Sequence, residues 1–412
     1  MKLLLVAWLF PPHENVGSRR PWRLCKHLPN HGWDITVLTQ RHVPARFVDP
    51  TDADLGSAVQ VVRDYDQPLL GRLAAWADAR GNGAPSPRPE APGRPSRWPA
   101  EPAAIHLPHA ARAARDLHRK VGFDAVLTTS YPYSAHYVGA ALSRALGVRW
   151  IADLRDPWTL HWSHEAKPAW SRALERRWER AIFAQADAVT VTTETLASRY
   201  RSVFSEYSQK IHAVRNSFDP VALPPLRPSR GPRRLVHFGH VYAGARTLAP
   251  VITALARVIR RKQLEPTDVV LENYGRFSQS DWQLAESLGI ERYLKLHKPM
   301  PQNEGLASLR SANLLLLPIW GTAYGELFLP AKLYDYLLVG VPVLALGTHP
   351  ELSQILGDTG AGELIAEDNT LAIEASIERA LSDTDPVSAS APAIQSFGAP
   401  AMAERFNQLL RG

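Results

Sequence analysis

The sequence predicts an α/β protein built from two doubly wound, parallel-sheet domains. Three observations carry that expectation. Strand and helix signals alternate along the whole chain. The strand-like segments are unbroken apolar runs, such as NLLLLPI at 313–319, the pattern of strands covered on both faces. The chain has 412 residues, which is long for a single hydrophobic core.

In order, strands are expected at 2–9, 34–39, 58–62, 124–128, 149–153, 187–191 and 211–214, then at 234–239, 268–274, 294–298, 313–318, 342–346 and 362–366. Helical patterns lie between most of them. Residues 1–217 are read as the first domain and 234–385 as the second, with the Pro- and Arg-rich segment 218–233 as linker. Residues 386–412 form a tail and a last helix, for which packing back on the first domain is one option. The proline-dense stretch 83–102 reads as an extended surface loop, since little in it can pack. No short internal repeat is found. The helix 167–184 sets Trp170, Leu174, Trp178 and Ile182 on one face, with Arg172, Arg176, Arg177 and Arg180 among its polar positions. A packed surface helix is the expectation there, and a helix lying on a membrane is the second reading. Segment 68–81 invites the same two readings.

Composition is that of an ordinary soluble protein, 45% apolar and 21% charged. The single cysteine, Cys25, leaves no internal disulfide and fits a reducing compartment. The net charge of +7 favours anionic partners without choosing among nucleotides, nucleic acid and an acidic membrane face. The apolar start is short, is broken by Pro11-Pro12 and lacks a small-residue cleavage site, so a buried first strand is expected rather than a signal peptide. No run reaches the length of a membrane span. A cytoplasmic protein is expected, with peripheral membrane contact left open.

Ligands of open α/β sheets bind beyond the carboxyl ends of the strands, so candidate residues are sought there. After the first strand, Gly17 and Ser18 stand at a loop-to-helix junction, with Arg19 and Arg20 next. They form either a turn with a basic helix start or a glycine loop that admits an anion or a sugar. The pattern is not GxGxxG, so dinucleotide binding is not supported. After 124–128 come Ser130, Tyr131 and His136. After 149–153 come Asp153, Arg155, Asp156, Trp158 and His161. Asp153 and Arg155 could merely pair, yet burying so charge-dense a turn is costly and a function is favoured. His161 and His164 are three apart with no carboxylate or cysteine cluster beside them, so no metal is expected.

In the second half, Gly239 and Gly244 flank a loop and Arg246 opens a helix. A glycine turn, a helix N-terminus and an arginine suit a diphosphate. Thr322, Gly325 and Glu326 precede the next helix, which Pro330 starts and Gly340-Val341-Pro342 stops. Lys332 and Asp335 are three apart and share one face of it. Lys332 suits phosphate, and Asp335 suits paired sugar hydroxyls unless it is simply a solvated helix residue.

Taken in order, FPP…GSRR, SYPYSAHYVG, WIADLRDPWT, ADAVTVTTETLASRY, VRNSFDP, HFGHVYAGART and LPAKLYDYLLVGVPVLA resemble the family 4-like glycosyltransferases of bacterial surface and exopolysaccharide synthesis. The resemblance covers nearly the whole chain and implies the GT-B fold, two facing Rossmann-like domains with an interdomain cleft. It implies a retaining, metal-independent transferase without cofactor, with a nucleotide-diphosphate sugar held mainly by the second domain. A glycan or lipid-linked acceptor would be held mainly by the first. By the same resemblance, Gly239, Arg246 and Lys332 take the diphosphate and Asp335 the ribose. Gly17, Ser18, Thr322 and Gly325 would border the donor sugar. Asp153, Arg155, Asp156 and Glu326 become catalytic-region candidates, and Ser130, Tyr131, His136 and His161 acceptor-side ones. The family's two glutamates seven residues apart are not reproduced: Leu327 holds the first position and Glu326 lies one residue early. Three other readings fit the pattern: a GT-B nucleotide-sugar epimerase, a silent sugar-nucleotide-binding scaffold and a nucleic-acid-binding protein. The last is disfavoured because the charge is spread and no binding module is recognised.

Overall fold

The computed structural model describes residues 1–13, 16–41, 55–66, 102–226, 231–241, 247–319, 324–382 and 391–412. The expectations for 68–81, for 83–101 and for Gly244, Arg246 and Thr322 lie outside the described residues. The chain divides into two compact units, Met1–Ser217 with Ala399–Gly412, and Phe218–Gly398.

The first unit holds a seven-stranded sheet: β1 (Lys2–Ala7), β2 (Asp34–Thr39), β3 (Val59–Arg63), β4 (Ala125–Thr129), β5 (Arg149–Asp153), β6 (Ala188–Val191) and β7 (Ile211–Ala213). Its order is β3-β2-β1-β4-β5-β6-β7, and every pairing is parallel. The second unit holds β8 (Arg233–Phe238), β9 (Val269–Tyr274), β10 (Leu294–His297), β11 (Leu314–Pro318), β12 (Val343–Leu346) and β13 (Gly362–Ile365). These run β10-β9-β8-β11-β12-β13, again all parallel. Each expected strand is present within one or two residues, because an apolar run bounded by turn residues has few other ways to bury itself. Both sheets share one winding, first outward through two strands, then back across the first strand. It is a repeat of fold that leaves no repeat of sequence.

Alternation sorts the second core into two layers. Leu235, Leu271, Leu314, Leu316, Leu344 and Leu346 pack on one face with the helix Ala249–Lys262. Val236, Leu315, Leu317, Val343 and Ala345 pack on the other with the helix Ala331–Val339. That helix ends at Gly340, whose φ of 73° lets its N–H reach the Tyr336 carbonyl, the left-handed stop that only glycine adopts without strain. In the first unit, Leu3, Leu5, Ile35 and Leu127 form one core with Leu24 of the helix Val16–His27 and with Met402, Phe406 and Leu410 of the helix Ala399–Arg411. The last helix therefore completes the core of the first unit.

The helix Ala169–Gln185 corrects an expectation. Trp170 is 57% exposed, and the buried face carries Ser171, Glu175, Glu179, Ile182 and Phe183. The acids are inside because the segment 154–168 and Tyr200 supply their partners. Glu179 accepts from Tyr200 Oη at 2.6 Å, from Thr159 N at 3.2 Å and from the Thr159 hydroxyl. Glu175 is flanked by Lys167 Nζ at 2.5 Å and His164 Nε2 at 3.2 Å. An apolar stripe on a helical wheel does not count such polar partners, so it caught Ile182 but set the rest of the buried face one residue early.

The deepest charge pair joins Arg20 to Asp153. Their side chains are 3% and 0% exposed. Arg20 Nε and Nη2 donate to the two carboxylate oxygens at 3.0 and 2.9 Å, and Thr129 and Thr190 hydroxyls donate to the same oxygens at 2.9 and 2.7 Å. The remaining guanidinium hydrogens reach the carbonyls of Val214 and Arg215, each at 2.9 Å. The guanidinium also lies 5.1 Å from the centre of the Phe406 ring. One pair thus ties β4, β5, β6, the first helix, the segment after β7 and the last helix together. Burial pushes the Asp153 carboxyl up, but Arg20, the Thr190 hydroxyl and Arg155 more than offset it, and it is held below the usual carboxylate range. Removing one member of a buried pair strands the other, so Asp153→Asn should cost about 3–5 kcal/mol of stability. Urea unfolding followed by tryptophan fluorescence measures this. Arg20→Met together with Asp153→Leu should cost less than the two single changes summed, because neither charge is then left alone.

Candidate active site

In both sheets the strand order reverses beside the first strand. The connections leaving the first and fourth strands then part to opposite faces and open a crevice at the carboxyl edge. In the first unit the crevice lies after β1 and β4, and in the second after β8 and β11.

In the first unit the structure redistributes the expected roles. Gly17 is the second residue of the helix Val16–His27, not a loop glycine. Its carbonyl accepts from Arg155 Nη1. Ser18 is buried and donates to the His13 carbonyl at 2.8 Å. Arg20, expected as part of a basic helix start, points inward to Asp153. Asp153 was a catalytic candidate, yet its oxygens are saturated by the four contacts above and no part of it is exposed. Its surroundings are those of an anchor. Arg155 does not pair with Asp153: it is buried and its Nε donates to the Ser130 carbonyl. It clamps the ends of the loops after β1 and β4. Ser130 is also buried, its N–H donating to the Asp153 carbonyl at 3.1 Å.

His136, an acceptor-side candidate, is a core histidine. It is 0% exposed, with Nδ1 2.8 Å from the Thr128 hydroxyl, which also accepts from Trp150 Nε1 at 2.8 Å. Burial, opposed weakly by Asp153, lowers its pKa to about 3.

Three candidates remain near the surface. Tyr131 is 44% exposed. It meets Tyr133 edge-on at 6.3 Å, and Tyr133 stacks on Trp158 at 4.9 Å. His161 is half-buried and caps the short helix Trp162–Glu165, its Nδ1 accepting from Ser163 N at 3.2 Å. Burial lowers its pKa, Asp156 opposes and Lys167 assists. Asp156 follows the clamp and is exposed. The crowded chain around it still withdraws its carboxyl from bulk water and raises its pKa, against the pull of Arg155 and His161. Of the three acidic or basic residues at this turn, Asp156 is the one at the surface.

In the second unit, Gly239 follows β8 with φ 128°. A Cβ there would meet Lys332 Cε and Nζ. Glycine is required twice over, by its backbone and by the lysine that crosses it. Lys332 lies in the first turn of the helix Ala331–Val339, whose N-cap is Pro330, so its ammonium and the N–H groups of the helix start lie at the same end of that helix. Lys332 Nζ is 3.0 Å from His237 Nε2. His240, just beyond Gly239, accepts from the Arg276 N–H at 3.0 Å. Burial lowers the His240 pKa, and Arg276 and Lys332 lower it further. Three basic side chains thus converge here. Asp335, one turn on, is buried rather than solvated and accepts from Gln302 Nε2 at 2.9 Å. Gly325 and Glu326 form a short turn before the helix, Gly325 buried and Glu326 half-buried. Glu326 acts electrostatically on His349. Sequence reasoning missed His237, Asn273 and Gln302. A lone polar residue in a strand, as His237 and Asn273 are, or at a helix start, as Gln302 is, carries no signal until its spatial neighbours are known.

Among the described residues, no group of three or more His, Cys, Asp or Glu could hold a metal ion. No described helix is long and apolar enough to cross a membrane.

Residues 17–217 match the model of the glycosyl transferase 4-like domain. No curated protein matches the chain. Among solved structures, sucrose-phosphate synthase from Thermosynechococcus elongatus is 19% identical with a TM-score of 0.64, covering 100% of this chain and 98% of its own. Anabaena HepE in complex with UDP and glucose is 15% identical with a TM-score of 0.62, covering 100% of both chains. A UDP-N-acetylglucosamine 2-epimerase from Listeria monocytogenes is 12% identical with a TM-score of 0.56, covering 98% of this chain and 94% of its own. At these identities the likeness is one of fold, two Rossmann-like sheets of the GT-B type.

The buried His136 should show in the acid limb of stability. Unfolded, it titrates near 6.5, and folded, near 3. Between those values the unfolded chain binds the extra proton. The contribution of His136 is therefore intact above pH 6.5 and is lost as pH falls toward 3, at up to about 1.4 kcal/mol per pH unit. Urea unfolding from pH 7 to 4 should give a shallower acid slope for His136→Gln than for the parent chain.

Proposed function

From the match of residues 17–217 to the glycosyl transferase 4-like domain we infer a GT-B glycosyltransferase that uses a nucleotide sugar, and we propose that it is a retaining, metal-independent enzyme transferring sugar to a glycan or lipid-linked hydroxyl in polysaccharide synthesis. The observation that carries the donor site is Lys332 laid across Gly239 at the head of a helix. An ammonium beside the N–H groups of a helix start is an arrangement for a diphosphate. Leaving-group charge would be met there by Lys332 and by the helix, the charge a metal would otherwise neutralise, and from its place in the sequence Arg246 is proposed for the same role.

Asp335, kept buried and oriented by Gln302, is suited to accept from the ribose hydroxyls. The acceptor hydroxyl would approach from the side of the sugar that the diphosphate leaves. The departing diphosphate would stabilise the oxocarbenium-like state and take the proton, while the enzyme orients the reactants. On the first unit, Asp156 and Tyr131 are the groups we assign to the acceptor side. Anabaena HepE, which shares the fold, was solved with UDP and glucose, which favours UDP as the first base to try. The epimerase of the same fold supplies the competing reading. An epimerase converts donor with no acceptor present.

Calorimetric titration with UDP, GDP and dTDP, followed by transfer assays with the matching sugar donors, tests the proposal. One nucleotide should bind selectively. Lys332→Ala should weaken it about ten- to a hundredfold, the worth of a charge-assisted hydrogen bond, and Gly239→Ala should do the same by displacing the lysine. Unchanged affinity in Lys332→Ala would remove that residue from the site. On the acceptor side, Asp156→Asn should leave nucleotide affinity unaltered and lower the transfer rate about a hundredfold, as loss of a group that orients the acceptor hydroxyl does. Donor turnover without acceptor would favour the epimerase reading.

A further inference from the structure

Two polar side chains are buried in the second sheet where apolar ones would pack without cost. His237 is 1% exposed and Asn273 is 0% exposed. They are direct partners in the register of β8 and β9. Polar groups at such depth must be hydrogen-bonded, and here the bonds run in one direction. Lys332 Nζ stands 3.0 Å from His237 Nε2, His237 Nδ1 stands 2.7 Å from Asn273 Oδ1, and Asn273 Nδ2 donates to the carbonyls of Gly275 at 3.0 Å and Arg276 at 3.4 Å. An ammonium can only donate, so Nε2 must accept, which leaves the ring proton on Nδ1 and requires Asn273 Oδ1 to face it. The two carbonyls require the same orientation of the amide. Every member agrees on one tautomer and one rotamer.

The faces of the sheet give this chain its purpose. His237 alternates with Val236 and so shares the face of Leu235, which packs on the helix Ala249–Lys262. Lys332 comes from the helix packed on the opposite face, that of Val236. To reach His237 it must cross the end of β8, and it does so where Gly239 has no side chain. A lysine on a flexible stem has many rotamers, and fixing it at the edge of a crevice needs an acceptor on the far side.

We infer that His237 is a positioning residue for Lys332: as a neutral acceptor whose tautomer is set by Asn273, it holds the ammonium across Gly239 at the donor crevice. The inference rests on the diphosphate reading of that crevice. It adds to it a reason why the strand carries histidine where a strand of this kind would carry an apolar residue.

The test uses the full chain with His237→Leu and His237→Gln. Glutamine keeps an acceptor oxygen that Lys332 can reach, and leucine does not. Affinity for the tightest of UDP, GDP and dTDP should fall about tenfold or more in His237→Leu and stay within about threefold in His237→Gln. Melting temperature is measured alongside, so that a general loss of stability is recognised. In protein carrying ¹⁵N-histidine, His237 should show a protonated Nδ1 and a bare Nε2, and Lys332→Met should move the Nε2 resonance. Leucine binding as tightly as the parent, glutamine as weak as leucine, or an Nε2-protonated ring would each overturn the inference while leaving the donor reading standing. Should His237→Leu fail to fold, the glutamine variant and the resonance decide. A parent chain that binds none of the three nucleotides overturns the donor reading itself, and the positioning role with it, even where the resonance confirms the contact.

Discussion

A charge taken out of water must be answered by opposite charge and by hydrogen bonds on every side, and the first unit is organised by that demand at Arg20 and Asp153. The carboxylate closes β5, and its partners come from β4, β6 and the first helix. The guanidinium spends its remaining donors on the segment after β7 and lies against the last helix. With Asp153 occupied, Arg155 turns to the carbonyls of Gly17 and Ser130 and joins the loops on the two sides of the crevice. Asp156 is then the charged residue of that turn left at the surface. A turn that reads as three catalytic candidates resolves into an anchor, a clamp and one exposed carboxyl.

The second unit has the same winding and uses its crevice differently. Lys332 crosses a glycine and rests on a neutral histidine, which can orient a positive charge without cancelling it. That difference separates a residue that holds a fold together from one that we propose meets an anion. Both arrangements need a close approach, and in the second it is Gly239, with its positive φ and missing Cβ, that permits it.

Legibility followed the range of the interaction. The strands, the stop at Gly340 and the place of Lys332 at a helix head are matters of a few neighbouring residues, and they could be read directly. The inward turn of Arg20, the burial of His136 beneath Trp150 and the acidic buried face of the helix Ala169–Gln185 each depend on partners far along the chain. Arg20 in a run of basic residues looks exposed, and Glu175 and Glu179 look solvated, until the groups that satisfy them are brought alongside. The apolar wheel of Trp170, Leu174, Trp178 and Ile182 failed for the same reason: it counted apolar residues and could not count buried hydrogen bonds.

By itself the sequence determined the α/β class, the positions of the strands, the two-sheet organisation and the family resemblance, because backbone periodicity and turn chemistry act over short spans. Tertiary structure alone decided which charges are buried in pairs and which stand at the surface. It joined Asp153 to Arg20 rather than to Arg155, and it set His237 and Asn273 beneath Lys332. A polar side chain takes its role from the partners that meet it, and those partners become neighbours only when the strands and helices are packed.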